Sequence, residues 1–385
     1  MAAYDAVVIG LGVMGSAALA SLARRGWRTV GIERFAPGHD RGSSHGATRI
    51  IRLGYFEHPS YVPLLRAAYP LWQELSARSD VPLLSITGIV EIGAPASELV
   101  AGTLRASQLH DLPHEILDAP GLIRRFPAFR VPDDFVAVFQ PDGGFVRAEP
   151  IIQALLVEAR IAGAETRIAE RVLAVTPHGG GVHIVTERGT ISAGCAVIAA
   201  GPWVRSLVPD IPVTVTRQVL AWFQPKDEAQ AALLAPGRFP VFLIENPHGL
   251  LYGFPADGSA GVKVAKHYHA GEAVEPDGYD RTVSGADEAM IRTMLDAHLP
   301  GASGPLLAAT TCLYTMAPDG DFILDRLPEY PQIIVASPCS GHGFKFAPLI
   351  GNIIADLATE GTTKHDISRF SLSRFSRSGR PQPSP

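Results

Sequence analysis

The stretch Tyr4-Asp5-Ala6-Val7-Val8-Ile9-Gly10-Leu11-Gly12-Val13-Met14-Gly15 decides how this chain is read. An apolar run ends in G-x-G-x-x-G and passes into an Ala/Leu-rich segment, Val13 to Arg25, that reads as a helix. A second β-type run, Trp27 to Ile32, leads to Glu33, 18 residues beyond Gly15. Glycines at this spacing let the turn approach a pyrophosphate, whose charge meets the helix N-terminus, and the acid suits ribose hydroxyls. An ordinary glycine turn is the competing reading; the flanking strand, helix and acid argue against it. Glu33 disfavours a 2′-phosphate, so FAD or NAD is favoured over NADP, and the fingerprint leaves those two open.

Outward from that unit, β-type runs recur at 168–176, 182–186, 191–199, 213–223, 241–244, 250–254, 262–267, 322–324 and 333–336. Helical patterns fall at 61–76, 151–162, 286–298 and 345–358. Segments 1–80, 145–206 and 306–375 group with the first β-α-β unit. Segments 81–144 and 207–305 are richer in alternating β pattern. The expected fold is α/β: a discontinuous Rossmann-type domain with a second, mixed β-sheet domain, and a frayed tail at 376–385.

Composition removes several classes. With 46% hydrophobic residues among 385, the chain can form a sizeable core. A net charge of −5 provides no basic field for nucleic acid. Three cysteines are no disulfide framework, and no C-x-x-C or His/Cys spacing points to a metal. Residues 6–23 are uncharged, but Asp5 stands where a signal peptide would be basic, and glycines interrupt the run. No other stretch approaches a membrane span, and the C-terminus is no peroxisomal address. A soluble, cytoplasmic protein is expected.

Three groups of residues invite chemistry. In Gly42-Ser43-Ser44-His45-Gly46-Ala47-Thr48-Arg49-Ile50-Ile51-Arg52, helical spacing would stack His45, Arg49 and Arg52 on one face, calling for an anion opposite. The apolar neighbours of that face argue against simple solvation. Only five of the 33 basic residues are lysines, and two of them stand in apolar settings. Lys263 shares a strand face with Ala265 and His267, where guarding a sheet edge is the plainer role. Lys345, between Phe344 and Phe346 at the start of a helix, opposes the helix dipole and needs an anionic partner, unless it snorkels to the surface. Cys312, like Cys195 and Cys339, reads by itself as a small buried hydrophobe.

Together these pieces resemble the monomeric sarcosine oxidase and N-methyl-L-tryptophan oxidase family of flavoproteins, along almost the whole chain. The most specific marks are Ser44 to Arg52, Tyr252-Gly253-Phe254-Pro255, Cys312-Leu313-Tyr314-Thr315 and Ser340-Gly341-His342-Gly343-Phe344-Lys345-Phe346. The resemblance implies FAD held covalently through Cys312, with Glu33 on the adenosine ribose and His45 and Arg49 against the flavin. It extends the cofactor-binding set from Gly10, Gly12, Val13, Met14 and Gly15 to Arg34, Ser43, Thr48, Val172, Gly201, Trp203, Gly341, His342, Gly343, Phe344 and Lys345. Arg52 and Lys345 match the pair that clamps a substrate carboxylate, and Lys263 the lysine that promotes reaction with oxygen. Tyr252, His267 and Tyr314 match pocket residues on the flavin's opposite face. Leu243 and Glu57 fall at further substrate positions.

The implied activity is oxidation of the C–N bond of a secondary amino acid, most plausibly an N-methyl amino acid, with oxygen reduced to hydrogen peroxide. The implied partners are that small molecule and oxygen, acting on a monomer. Cyclic or sugar-modified amino acids, such as pipecolate or a fructosyl amino acid, are the alternative within the class. A nicotinamide-dependent dehydrogenase and a non-catalytic FAD-binding module are the alternatives outside it. The chain departs from the family pattern at Ser44, Ala47, Leu243 and Cys339, and in the loop after Arg52. There Phe56 and His58 replace glycines, while Tyr55 and Glu57 remain.

Overall fold

The computed structural model describes residues 3–375, so the tail expected at 376–385 lies outside the described residues. Its first sheet grows from β1 (Tyr4–Ile9), which pairs in parallel with β2 (Thr29–Glu33) on one side and β12 (Gly189–Ile198) on the other. The parallel set continues through β9 (Glu165–Ile168) beyond β2 and β19 (Ile333–Ser337) beyond β12. β10 (Val172–His178) and β11 (Gly181–Thr186) form an antiparallel ribbon on the start of β12, and β18 (Ile323–Arg326) flanks β19. Three helices pack together in one core with the sheet: α1 (Val13–Arg24), α5 (Ala148–Ile161) and α8 (Ala347–Thr359). The α1–α8 approach is close enough that a Cβ on Gly351 would lie 2.6 Å from the Ala17 carbonyl oxygen. This parallel unit draws on three separated segments of chain.

The second sheet runs in the order β17 (Leu306–Met316), β13 (Thr214–Phe223), β16 (Val262–Lys266), β15 (Gly249–Gly253), β14 (Val241–Asn246), β5 (Ile89–Gly93), β7 (Val136–Gln140), β6 (Glu115–Asp118). It is antiparallel except between β14 and β5. A small sheet of β3 (Thr48–Ile51), β8 (Gly144–Arg147) and β4 (Leu84–Ile86) stands apart from both. The remaining helices are α2 (Val62–Ala77), α3 (Glu98–Leu109), α4 (Ala119–Arg125), α6 (Glu228–Leu233) and α7 (Gly285–His298). None of the described helices is long and apolar enough to cross a membrane.

Several local expectations are corrected. Residues 42–52 are not a helical face: Gly46 and Ala47 take left-handed φ values of 91° and 67°, and Thr48–Ile51 pairs with β8. Consecutive left-handed residues cannot continue a right-handed helix, and β-branched Ile50 and Ile51 suit a strand. The run at 168–176 is two strands, broken at Ala169, where φ is 53°. Lys345 precedes α8 in a 3₁₀ turn, Phe344–Phe346, rather than lying within the helix. Strand β17, grouped by sequence with the Rossmann segments, pairs along its length with β13 in the second sheet. Lys263 guards no edge, because β16 lies between β13 and β15.

Candidate active site

A single cavity runs from the Gly10 turn to the face of the second sheet. At its first end the carboxylate of Glu33, buried at the end of β2, accepts the Leu11 N–H at 2.7 Å and the Phe35 N–H at 2.9 Å. It therefore ties the glycine turn to the second strand, and its oxygens have acceptor capacity left for hydroxyl donors. Gly10, Gly12, Val13, Met14, Arg34, Val172, Gly201 and Trp203 line this end. Gly15 does not. It is a packing glycine, since a Cβ there would sit 1.8 Å from the Gly10 carbonyl oxygen. Arg34 and Trp203 both donate to Asp277, at 2.8 Å each, so the segment after β16 is strapped across this end.

Midway stands Cys312 on β17, buried and lining the cavity. Burial pushes its thiol up, with Arg49 and Lys263 pulling the other way. Arg49 lines the cavity and spends its donors on the carbonyls of Thr48 and Ser43, both at 2.8 Å, and of His45. The Ser43 hydroxyl donates to the Leu313 carbonyl, fixing this loop on β17. Lys263 Nζ donates to the carbonyls of Gly46 at 2.6 Å and Thr48 at 2.7 Å. Burial and Arg49 hold its ammonium well below the usual lysine range. His45 is buried with no partner on Nε2, and burial and Arg49 lower it to about 4. His45, Thr48 and Lys263 stand behind the wall, while Ser43, Arg49 and Cys312 form it.

The far end is a chemically mixed chamber. Leu243, Tyr252, Phe254, His267 and Tyr314 line it, with His267 Nδ1 3.3 Å from the Tyr314 hydroxyl. Burial drops His267 to about 3, so its ring is neutral at physiological pH. Gly341, His342, Gly343, Phe344 and Lys345 supply the opposite wall. The His342 Nε2–H donates to the Gly320 carbonyl, so Nδ1 accepts from the Tyr55 hydroxyl at 2.7 Å. Lys345 Nζ donates to the His342 carbonyl at 2.7 Å, and burial and Arg52 lower it to about 7.

Arg52 is not the free cation that the sequence suggests. Its Nη2 donates to both oxygens of Glu57, at 2.8 and 2.7 Å, and its Nη1 lies 3.1 Å from Glu91 Oε1. Glu91 is the site residue that sequence reading missed. Its signal was available: a lone acid inside the apolar run Ile89-Val90-Glu91-Ile92.

The wall fits a flavin dinucleotide. Around Cys312, Arg49 and Lys263 have no carboxylate salt-bridge partner among the described residues, and His45 keeps an unpartnered ring nitrogen. A ring that gains negative charge on reduction answers both features.

Residues 5–357 match the model of the FAD dependent oxidoreductase family. The chain is 41% identical to the monomeric sarcosine oxidase of Streptomyces avermitilis, over 97% of this chain and 98% of that protein. It is 38% identical to the N-methyl-L-tryptophan oxidase of Yersinia pestis, over 97% and 99%. Among solved structures, the open form of NikD, an unusual amino acid oxidase essential for nikkomycin biosynthesis, superposes with a TM-score of 0.83. It is 29% identical, over 96% of this chain and 97% of that one.

Proposed function

The chain belongs to the FAD-dependent oxidoreductases, and from that premise we propose that it is an oxidase of N-methyl amino acids with its flavin attached through Cys312. One observation carries the reading: a continuous cavity joins the dinucleotide turn, the Cys312 thiol and the cationic pair Arg52 and Lys345. FAD supplies the acceptor for the two electrons that leave the substrate C–N bond. The residues Gly10 to Met14, Glu33, Arg34, Val172, Gly201 and Trp203 would hold its nucleotide half. Ser43, Arg49, Cys312 and Gly341 to Phe344 would hold its ring.

The chain's own groups divide the remaining work. Lys345 and Arg52 anchor the substrate carboxylate, which places the amine and its methyl group toward the ring. Leu243, Phe254 and the faces of Tyr252 and Tyr314 exclude water, which strengthens every charge interaction inside. The neutral ring of His267 is positioned to receive hydrogen bonds rather than repel an ammonium. Arg49 is a fixed cation that needs no reorganisation as charge develops beside it. The imine product is hydrolysed by water, so the balance is N-methyl amino acid, oxygen and water in, and primary amino acid, formaldehyde and hydrogen peroxide out.

The same reading takes the protein as cytoplasmic and as a monomer, the latter being the state in the name of the Streptomyces relative. It also takes the Rossmann segments as a FAD-binding domain and the second sheet, with β17, as the substrate domain. The test has two arms. Purified protein should release peroxide with N-methyl amino acids, and its yellow colour should stay in the pellet after acid precipitation. Peroxide from pipecolate or fructosyl amino acids alone would overturn the substrate; colour in the supernatant would overturn the Cys312 linkage.

A further inference from the structure

Behind the clamp, the guanidinium of Arg52 is shared between two carboxylates that are not equivalent. Glu57 lines the cavity and is carried by the loop between β3 and α2. Glu91 does not line it; it lies fully buried on β5, between β14 and β7. Gln140 of β7 donates to Glu91 Oε2 at 2.5 Å and accepts the Gly54 N–H at 2.6 Å, which fastens the acid to the backbone of the Glu57 loop. The other oxygen, Oε1, makes no hydrogen bond of good geometry despite facing Arg52.

The charges balance only without substrate. Two cations, Arg52 and Lys345, face two carboxylates, Glu57 and Glu91. A substrate carboxylate must take the Nη2 side of Arg52 from Glu57, because Nη1 is committed to Gly54 O and Glu91. Three carboxylates then share two cations in a buried space, where uncompensated charge is costly.

We propose that Glu91 sets the affinity of this clamp by its protonation: a carboxylate on Arg52 is held tightly when Glu91 carries a proton and weakly when it does not. The inference rests on the amino-acid substrate proposed above. Glu91 is the acid suited to accept the proton. Burial outweighs Arg52 and raises it to about 7, whereas Arg52 and Lys345 hold Glu57 near 2. From α3, the Thr103 hydroxyl lies beside Glu91 and, like the Gln140 amide, favours its ionised form, but burial outweighs them. On β14 the neighbouring acid is Glu245, which is spent on the Leu99 N–H at the start of α3. β7 contributes only Gln140, and the 3₁₀ turn contributes Lys345.

The sign follows. Glu91 is neutral below about 7 and admits an anion; above it, its charge opposes one. Lys345 also loses charge as pH rises, and it does so whether or not Glu91 is present. The telling quantity is therefore the affinity of a Glu91 variant relative to the parent at each pH.

The probe is butyrate, which replaces the nitrogen of N-methylglycine with a methylene and cannot be oxidised as an amine. Calorimetric titration of the holoenzyme should give equal affinities for the parent and Glu91→Gln at pH 6. At pH 8.5 the variant should bind about tenfold tighter, the effect of about one unit of linked pKa change. Glu91→Val, which suits a central strand and carries no amide, should show the same gain. The uncharged butyramide should bind all three proteins alike at both pH values. A variant-to-parent ratio that does not change with pH, or weaker butyrate binding by both variants throughout, would overturn the role of Glu91. Butyrate binding to none of the proteins would remove the carboxylate clamp itself, and the Glu91 role with it.

Discussion

Burial and Arg49 disfavour the charge on Lys263, and it is no surface residue. Its ammonium touches two carbonyls, lies over the Phe254 ring at 4.7 Å, and has Arg49 as its nearest cation. A lysine kept in such a place suits an anion that appears only during turnover, such as oxygen after one electron. Lys263→Met should therefore slow reoxidation by oxygen by about 100-fold, while anaerobic reduction by substrate changes far less. Stopped-flow traces of the two half-reactions check this; equal slowing of both would make the lysine a structural prop. At this scale the sequence was informative where residue type was unusual. Rare lysines drew attention to Lys263 and Lys345, whereas Glu91 was passed over although it breaks an apolar run. It misled at His45, Arg49 and Arg52, because helical spacing was assumed where Gly46 and Ala47 turn the backbone the other way. It also left Arg52 without partners, since Glu57 and Glu91 meet it only through folding.

Among the elements, the segment from His267 to Ser284 joins β13 through a single bridge, Ala273 to Thr216, and is otherwise anchored by side chains. Its base is a buried knot: Asp287 at the start of α7 takes both Nη1 and Nη2 of Arg217, at 3.0 and 2.9 Å, and His269 Nε2 at 2.8 Å. Its tip is the exposed Asp277 on Arg34 and Trp203. Asp287→Asn leaves a buried Arg217 half-paired and should cost about 3–5 kcal/mol, whereas Asp277→Asn should cost under about 1 kcal/mol. Arg217 holds the Asp287 carboxyl well below the usual carboxylate range. Its stabilisation is thus present above the unfolded pKa of about 4 and is lost as pH falls toward the folded value. Denaturant titrations from pH 7 to 3 should show a shallower acid limb for Asp287→Asn. The regular strands and long helices were legible from period and apolarity. α3 was not, although Ser97 caps it through the Val100 N–H, because its apolar content is diluted by polar residues. β3, β4 and β8 were too short to announce themselves.

For the whole molecule, the cavity is bounded by both large sheets, so its occupant acts as mortar between them. Protein prepared without FAD should melt at least about 5 °C lower than the holoprotein, in calorimetric scans at one concentration. An unchanged midpoint would mean that the walls stand without the cofactor. The α/β class was readable from motif order along the chain. The sheet that claims β17 was not, since strand pairing across ninety residues leaves no mark in local pattern.

The order in which the cavity's walls occur along the chain has a consequence for biosynthesis. The glycine turn emerges first from the ribosome, but Cys312, β19 and the Gly341–Lys345 wall emerge last. Translation must nearly finish before the wall proposed for the flavin ring is complete, because only Ser43 and Arg49 of that wall come early. A chain truncated before residue 312 keeps most strands of both large sheets but lacks β18, β19 and α8, which leaves the face of α1 that packs on α8 uncovered.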